Sequence, residues 1–308
     1  MLGRKPTRHR VLRRKLSTSA VREQFLTEVT VSDPASAFAP DLLAQASGLS
    51  KLRVKDAMQK GAVWLSRAGR RPQRLRRATG ALCTGDRLSL YYDSVILAYV
   101  PPPPRLVADA KRYSVWDKPA GLLVEGSRYG DHATLLRQVE HHFSPTRPVW
   151  LVHRLDLEAS GLILIAHTAQ AAAGLSALFQ ARSVHKRYFI EVQGIVGAIG
   201  AQGSFDTPLD GKAAATAYTV VGVNAAAGMT QVEITMLSGR HHQIRRHFAD
   251  AGYPVLGDLK YGSTPHPDGM RLAAVHMAFQ APWEKTSVEY SLARTVRTRW
   301  GWPEGSDR

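Results

Sequence analysis

Cysteine is nearly absent from this 308-residue chain. Cys83 is the single one, so an internal disulfide and any site built from paired thiolates are excluded. Cys83 itself reads as a small core residue. Long apolar runs are missing too. The candidate LILIA at 162–166 is strand-sized and far below the ~18 residues a membrane span needs. No Gly-x-Gly-x-x-Gly, Walker or Gly-x-Ser-x-Gly pattern occurs, which disfavours dinucleotide, NTPase and serine-hydrolase chemistry. There is no internal repeat. Histidines pair at His141-His142 and at His241-His242 with His247, but without carboxylates at ligand spacing. They read as surface or helix polar residues, and neither a metal nor a cofactor is expected.

What is there is positive charge, and it is concentrated. The net charge is +16. Residues 1–25 hold eight Lys/Arg against one acid, and residues 51–87 hold eleven against two; the remainder is balanced at 22 against 22. A neutral body with two basic segments implies a polyanionic partner, nucleic acid above all. A membrane surface is disfavoured, because no basic amphipathic helix of the right kind appears.

Residues 1–37 are Arg-rich with weak periodicity and read as a basic tail; an organelle leader is the other reading of such a segment. Residues 38–100 read as a small α/β unit with its linker. Asp41 is placed to cap a first helix that Gly48 stops. Ser50 caps a second, with Leu52, Val54, Ala57 and Met58 on its apolar side. Strands follow at 62–65 and 86–91, joined by a basic connection at 70–77. Four prolines at 101–104 form a stiff spacer and mark a boundary. From 105 to 300 a larger domain is expected. Strands are placed at 113–116, 122–124, 149–152, 162–166, 188–192, 217–223, 231–237 and 272–279, with helices at 168–181 and 241–251. The strands do not alternate regularly with helices, so the expected class is α+β with a mostly antiparallel sheet.

The densest polar cluster is His153-Arg154-Leu155-Asp156, wedged between two apolar strands. Charge at that place belongs at a sheet edge or in a cleft. An aspartate beside an arginine there serves as a nucleophile or base, or simply as a turn with a local ion pair; the residues alone leave both open.

Four ordered motifs narrow this. HRLDLEASGLILIA at 153–166 resembles the signature of the RluA-type RNA pseudouridine synthases. DKPAGLLV at 117–124, KRYFIEVQG at 186–194 and GRHHQIRRHFADAGYPVLGDLKYG at 239–262 resemble that family's other segments, in the same order. The stretch 41–90 resembles the S4 RNA-binding module, with an Arg-rich segment in place of the usual short turn. Two positions depart from the synthase pattern: Ala159 and His241 stand where threonine is usual.

The resemblance implies an α+β synthase domain behind an S4-like unit. It implies isomerisation of uridine in structured RNA, large-subunit ribosomal RNA first and transfer RNA second, in the cytoplasm. A non-catalytic RNA-binding assembly factor is the rival. By the same resemblance Asp156 is the catalytic aspartate and Arg245 its arginine partner. Tyr188 stacks on the target base, and Arg154, beside His153, fills the gap left by the flipped nucleotide. Arg53, Lys55 and Arg74 contact RNA phosphates.

Overall fold

The computed structural model describes residues 10–13, 22–34, 37–236, 239–262 and 264–302. Of the expected basic tail, residues 1–9, 14–21 and 35–36 therefore lie outside the described residues. The chain forms two compact units. The first runs to Pro101 and takes in Glu125–Gln138; the second comprises Pro102–Val124 and Val139–Arg308.

The first unit contains β1 (Arg10–Arg13), β2 (Gln24–Thr30), α1 (Ala39–Ser47), α2 (Lys51–Gln59), β3 (Val63–Ser66), β4 (Gln73–Arg74), β5 (Arg87–Asp93) and α3 (Ser94–Ala98). Its strands form an antiparallel sheet in the order β1-β2-β5-β3-β4. Residues 24–30, read from sequence as tail, are thus a central strand. Phe25, Thr27 and Val29 alternate inward along it, a period of two that an Arg-rich context hides. The inward faces of β2, β3 and β5 join α1 and α2 in one core around Leu43, Val54, Met58, Leu88 and Leu90.

Helix ends follow local chemistry. Ser50 Oγ accepts the Arg53 N–H at 3.3 Å, and Gly48 closes α1 at φ 76°, where a side chain would be strained. Asp41 is not the cap: α1 begins two residues earlier, and Asp41 sits in its first turn, paired with Lys51 at 2.9 Å. Leu52 is also misplaced by the sequence reading. Val54, Ala57 and Met58 share a helical stripe, whereas Leu52 lies two residues, about 200°, off it and is 78% exposed. Cys83, expected in the core, is exposed, in a turn whose backbone is held by Asp86: the Cys83 N–H donates to Asp86 Oδ2 at 2.8 Å.

The second unit contains β6 (Arg105–Asp109), β7 (Tyr113–Lys118), α4 (Leu135–His142), β8 (Trp150–Leu151), β9 (Ser160–Ala166), α5 (Ala169–Gln180), β10 (His185–Gln193), β11 (Gln202–Phe205), β12 (Thr216–Asn224), β13 (Met229–Met236), α6 (Gln243–Asp250), β14 (Leu272–Phe279), β15 (Val288–Ser291) and α7 (Ala293–Arg299); α4 begins in the inserted residues of the first unit. The sheet runs β11-β12-β13-β10-β14-β9-β7-β6, with β15 on β14 and β8 on β9. Among the described residues all pairings are antiparallel except β9 with β14. This is an α+β fold with a large, mainly antiparallel sheet.

β9 is buried at all seven positions, which is why it reads as an uninterrupted apolar run. Residues 122–124, expected as a strand, form a loop instead; Leu122 and Val124 are buried there. Thr168 Oγ1 caps α5 by accepting the Ala171 N–H. No described helix is long and apolar enough to cross a membrane.

Candidate active site

The segment 152–159 carries Asp156 from the two-residue β8 into β9, and three features fix it. Leu155 and Ala159 are buried on either side of Asp156. His153 stacks on Phe179 at 4.3 Å and its Nε2 accepts the Leu164 N–H at 3.0 Å. A ring that accepts there is neutral, and burial, helped by Lys186, pushes its pKa down to about 3. The third is Lys118, whose fully buried ammonium donates to the carbonyls of Leu122, Pro119 and Leu157 at 2.9, 3.1 and 3.2 Å. The Gly121 N–H shares the Leu157 carbonyl at 2.8 Å. The residue next to Asp156 is therefore tied from two sides. Burial lowers the Lys118 pKa to about 8, against the pull of the Asp156 and Glu158 carboxylates.

A cavity of about 540 Å³ opens over this segment, lined among others by Arg154, Asp156, Lys186, Tyr188, His242 and Arg245. Tyr188 enters it from β10, next to an irregularity in the β10–β14 register between Arg187 and Tyr188. The residue is 8% exposed. Burial, and secondarily the Asp156 charge, raise the phenol pKa to about 12, so the hydroxyl stays protonated across the physiological range.

Arg245 comes from α6 and is almost completely buried. Its Nε and Nη2 are held by the two oxygens of Asp258 at 2.7 and 2.8 Å. Asp258 also accepts the Lys260 and Tyr261 N–H groups at 3.0 and 3.3 Å. Burial works to raise the Asp258 pKa, but the bonds from Arg245 outweigh it and hold the carboxyl below its usual range. With two nitrogens so occupied, Nη1 is aimed at the cavity, 3.5 Å from Asp156 Oδ2 and 3.3 Å from Glu158 Oε2. Arg245 is thus the partner of Asp156 that the sequence reading expected, though its bidentate partner is Asp258.

His242 is the neighbour that reading missed. It sits at the N-terminal end of α6 with φ 53°. Its Nε2 lies 3.6 Å from Asp156 Oδ2 and its Nδ1 3.0 Å from the Tyr261 hydroxyl. Burial lowers its pKa, with Asp156 pulling the other way. The available signal was its spacing: three residues before Arg245, it shares a helix face with it. His247, read with it as polar helix surface, is instead buried between Thr216 Oγ1 at 2.9 Å and the Thr207 carbonyl at 3.0 Å. Gln243 also pins α6 to the sheet, donating to the Ala215 carbonyl and Thr216 Oγ1, both at 2.9 Å.

Arg154 is exposed at the cavity rim. The three cations expected to meet RNA lie in the first unit. Lys55 is exposed, 5.8 Å above the Phe38 ring. Arg53 is exposed but committed: it donates to the Tyr92 hydroxyl at 2.7 Å and pairs with Glu23. Arg74 is turned inward, and here the expectation needs correction. Its guanidinium covers the Trp64 ring at 4.4 Å, pairs with Asp131 at 3.1 Å, and donates to the Gly61 and Ser127 carbonyls. It works as a clamp within the unit. The outward cations of the 70–77 stretch are Arg70, Arg71 and Arg77.

The profile of the RNA pseudouridylate synthase family matches residues 112–250. A dual-specificity RNA pseudouridine synthase RluA from Yersinia pestis is 32% identical over 180 residues, 53% of this chain and 83% of the relative. The chain belongs to the RNA pseudouridine synthase family. A ribosomal large subunit pseudouridine synthase D from Pseudomonas aeruginosa is 34% identical over 174 residues. That match spans about half of each protein, 51% of this chain and 53% of the relative. The human RNA pseudouridylate synthase domain containing 4 superposes with a TM-score of 0.53 at 20% identity, over 66% of this chain and 95% of the human one. The fold of the second unit is that of the synthases, and all four sequence motifs converge there on the segment around Asp156 and the cavity above it.

Proposed function

We propose that the protein converts uridine in large-subunit ribosomal RNA to pseudouridine, with Asp156 as the catalytic carboxylate. One observation carries this reading: Asp156 is held by a tethered loop, faces the cation of a buried arginine, and shares its cavity with an aromatic ring. The reaction breaks the N1–C1′ bond and joins C1′ to C5 of the same uracil; the C5 hydrogen is lost as a proton and N1 gains one. Atoms balance without any co-reactant.

The target uridine first has to leave its stack, which costs a few kcal/mol. Arg154 at the rim is placed to fill the vacancy, and the Tyr188 ring to hold the base by its face. Asp156 then either attacks C1′ or removes the 2′ proton. Both routes need an ionised carboxylate in a partly dry site, and a guanidinium is the cation that stays charged there.

The ribosomal substrate is supported by the naming of the Pseudomonas relative, and a cytoplasmic location is part of the same proposal. The first unit serves as an S4-like RNA grip, with Lys55, Arg70 and Arg77 on phosphates. The test is pseudouridine mapping in ribosomal and transfer RNA from cells with and without the gene, joined to turnover by the purified protein. A large-subunit site that disappears with the gene and is restored in vitro is the expected result. A protein that binds RNA and forms no pseudouridine in any of it would leave a non-catalytic binding role.

A further inference from the structure

The first unit has a second face. Its helices cover the side of the sheet to which Phe25, Val29, Leu65, Leu88 and Leu90 point. Because strand residues alternate, the intervening residues point the other way. The pairing register sets them in a row: Glu28 opposite Ser89, and Ser89 opposite Trp64. Arg87 and Tyr91 lie two residues before and after Ser89 on β5. Arg71 joins from the loop before β4, and Arg128 from the inserted segment 125–138. Together they line a cavity of about 510 Å³, within the size range of small-ligand pockets.

The composition of this cavity is unusual for a solvated sheet face. It offers two aromatic rings and three guanidinium groups against one carboxylate. The rings are held in place. The Trp64 Nε1–H donates to the Arg128 carbonyl at 3.0 Å, and Arg74 covers one indole face. Tyr91 meets Tyr129 edge-on at 5.9 Å and carries the Arg128 guanidinium 5.6 Å from its centroid. The carboxylate is partly neutralised already: Glu28 accepts from Ser89 Oγ at 2.8 Å and lies 3.9 Å from Arg87. Arg87 and Arg128 remain exposed. Fixed aromatic rings beside exposed cations are the combination that binds single strands. Each unpaired base supplies a face to stack, and each linkage supplies a phosphate. A duplex hides its base faces and has no use for the rings.

We propose that this sheet face is a binding site for single-stranded RNA, with Trp64 and Tyr91 as the stacking platform and Arg71, Arg87 and Arg128 on the phosphates. It lies on the opposite side of the sheet from α2 and Lys55. The inference rests on the reading of RNA as the partner, and it adds a stretch of unpaired RNA flanking the substrate helix as what the protein holds.

The probe is a fluorescent, uridine-free oligoadenylate of ten nucleotides, which has no uracil for the Asp156 cavity. Its binding to the full-length protein is followed by anisotropy across a salt series. The double substitution R87A/R128A is expected to weaken binding about tenfold. It is also expected to reduce the log–log salt slope by about 1.4, roughly 0.7 per lost single-strand contact. Tyr91→Ser should weaken binding at every salt concentration without changing the slope, and Tyr91→Phe should restore it. An RNA duplex of equal length should be indifferent to Tyr91→Ser. Thermal unfolding of each variant checks that the sheet is intact.

Unchanged oligoadenylate binding in both R87A/R128A and Tyr91→Ser would overturn the proposal. So would sensitivity confined to a Lys55→Ala variant, which would place the strand on the helical face. Because the probe carries no uridine, the outcome is independent of turnover: a catalytically silent protein could still bind through this face, and an active one could fail to.

Discussion

Asp156 has a polar neighbourhood dense enough to make single substitutions informative. Asp156→Asn keeps the shape of the side chain and removes its charge; pseudouridine formation should fall to the background level while RNA affinity changes little, measured on the same substrate by mapping and by filter binding. Tyr188→Phe retains the ring and should retain most activity. Tyr188→Leu should lose a further ~10-fold or more, since stacking on a base contributes ~1–3 kcal/mol. Equal losses in the two variants would remove stacking from the account. His153 makes a pH prediction. Its pKa is depressed from 6.5 to about 3, so the unfolded chain binds the proton more readily than the folded one. Its stabilising contribution is complete above pH 6.5 and is lost as pH falls toward 3. His132 and His167 are shifted in the same direction, also chiefly by burial. Unfolding free energies from urea titrations at pH 7 and pH 4.5 should therefore differ, and His153→Phe should reduce the difference by about 1–3 kcal/mol. At this scale the motifs were informative in sequence because they are local. HRLD points to Asp156, and residues 186–194 point to Tyr188, the two residues the proposal rests on. The supports were hidden because they are distant. Nothing in a linear reading joins Lys118 to the Leu157 carbonyl, or says that the aspartate receiving Arg245 most closely is Asp258.

Among the elements, β9 and β14 matter most, since they meet in the sheet's single parallel pairing beside the Asp156 loop. The contact requires a glycine. Gly161 has φ 105°, and a Cβ added there would stand 2.2 Å from the Ala274 carbonyl oxygen. Gly161→Ala should force these strands apart, lowering the melting temperature by roughly 10 °C, on the scale of ~2–4 °C per kcal/mol for a domain of this size. It should reduce turnover more than a surface mutation of equal stability effect. Asp258→Asn tests α6 in the same way. It leaves Arg245 buried beside a neutral partner, a change of the kind that destabilises by ~3–5 kcal/mol, and it should lower kcat because Nη1 loses its aim. Strands with strong apolar character, β9 and β14, were readable within one or two residues. β2 was not, because its inward face includes the polar Thr27 and its outward face the apolar Leu26, which blurs the period of two beside an arginine-rich segment. The loop at 122–124 failed for the opposite reason: it is as apolar as a strand, but its Leu122 carbonyl is claimed by Lys118.

On the scale of the whole molecule, composition located the basic segments and the proline run, and the first unit does end at Pro101 on its first pass. The return of residues 125–138 to that unit had no compositional signature. It depends on Asp131 meeting Arg74 and Arg76, and on the Asp131 N–H reaching the Lys60 carbonyl at 3.0 Å. A fragment beginning at Pro102 should consequently become sensitive to limited proteolysis within 125–138, where the full chain resists. It should also bind long RNA with a flatter salt dependence, having lost both basic windows. The same discontinuity imposes an order on synthesis. When the proline run leaves the ribosome, the N-terminal unit has its sheet and helices but not the segment that neutralises two of its arginines. It has to wait for about thirty further residues, the first strands of the second unit among them, before it can close. The nascent chain therefore begins its second unit before it has finished its first.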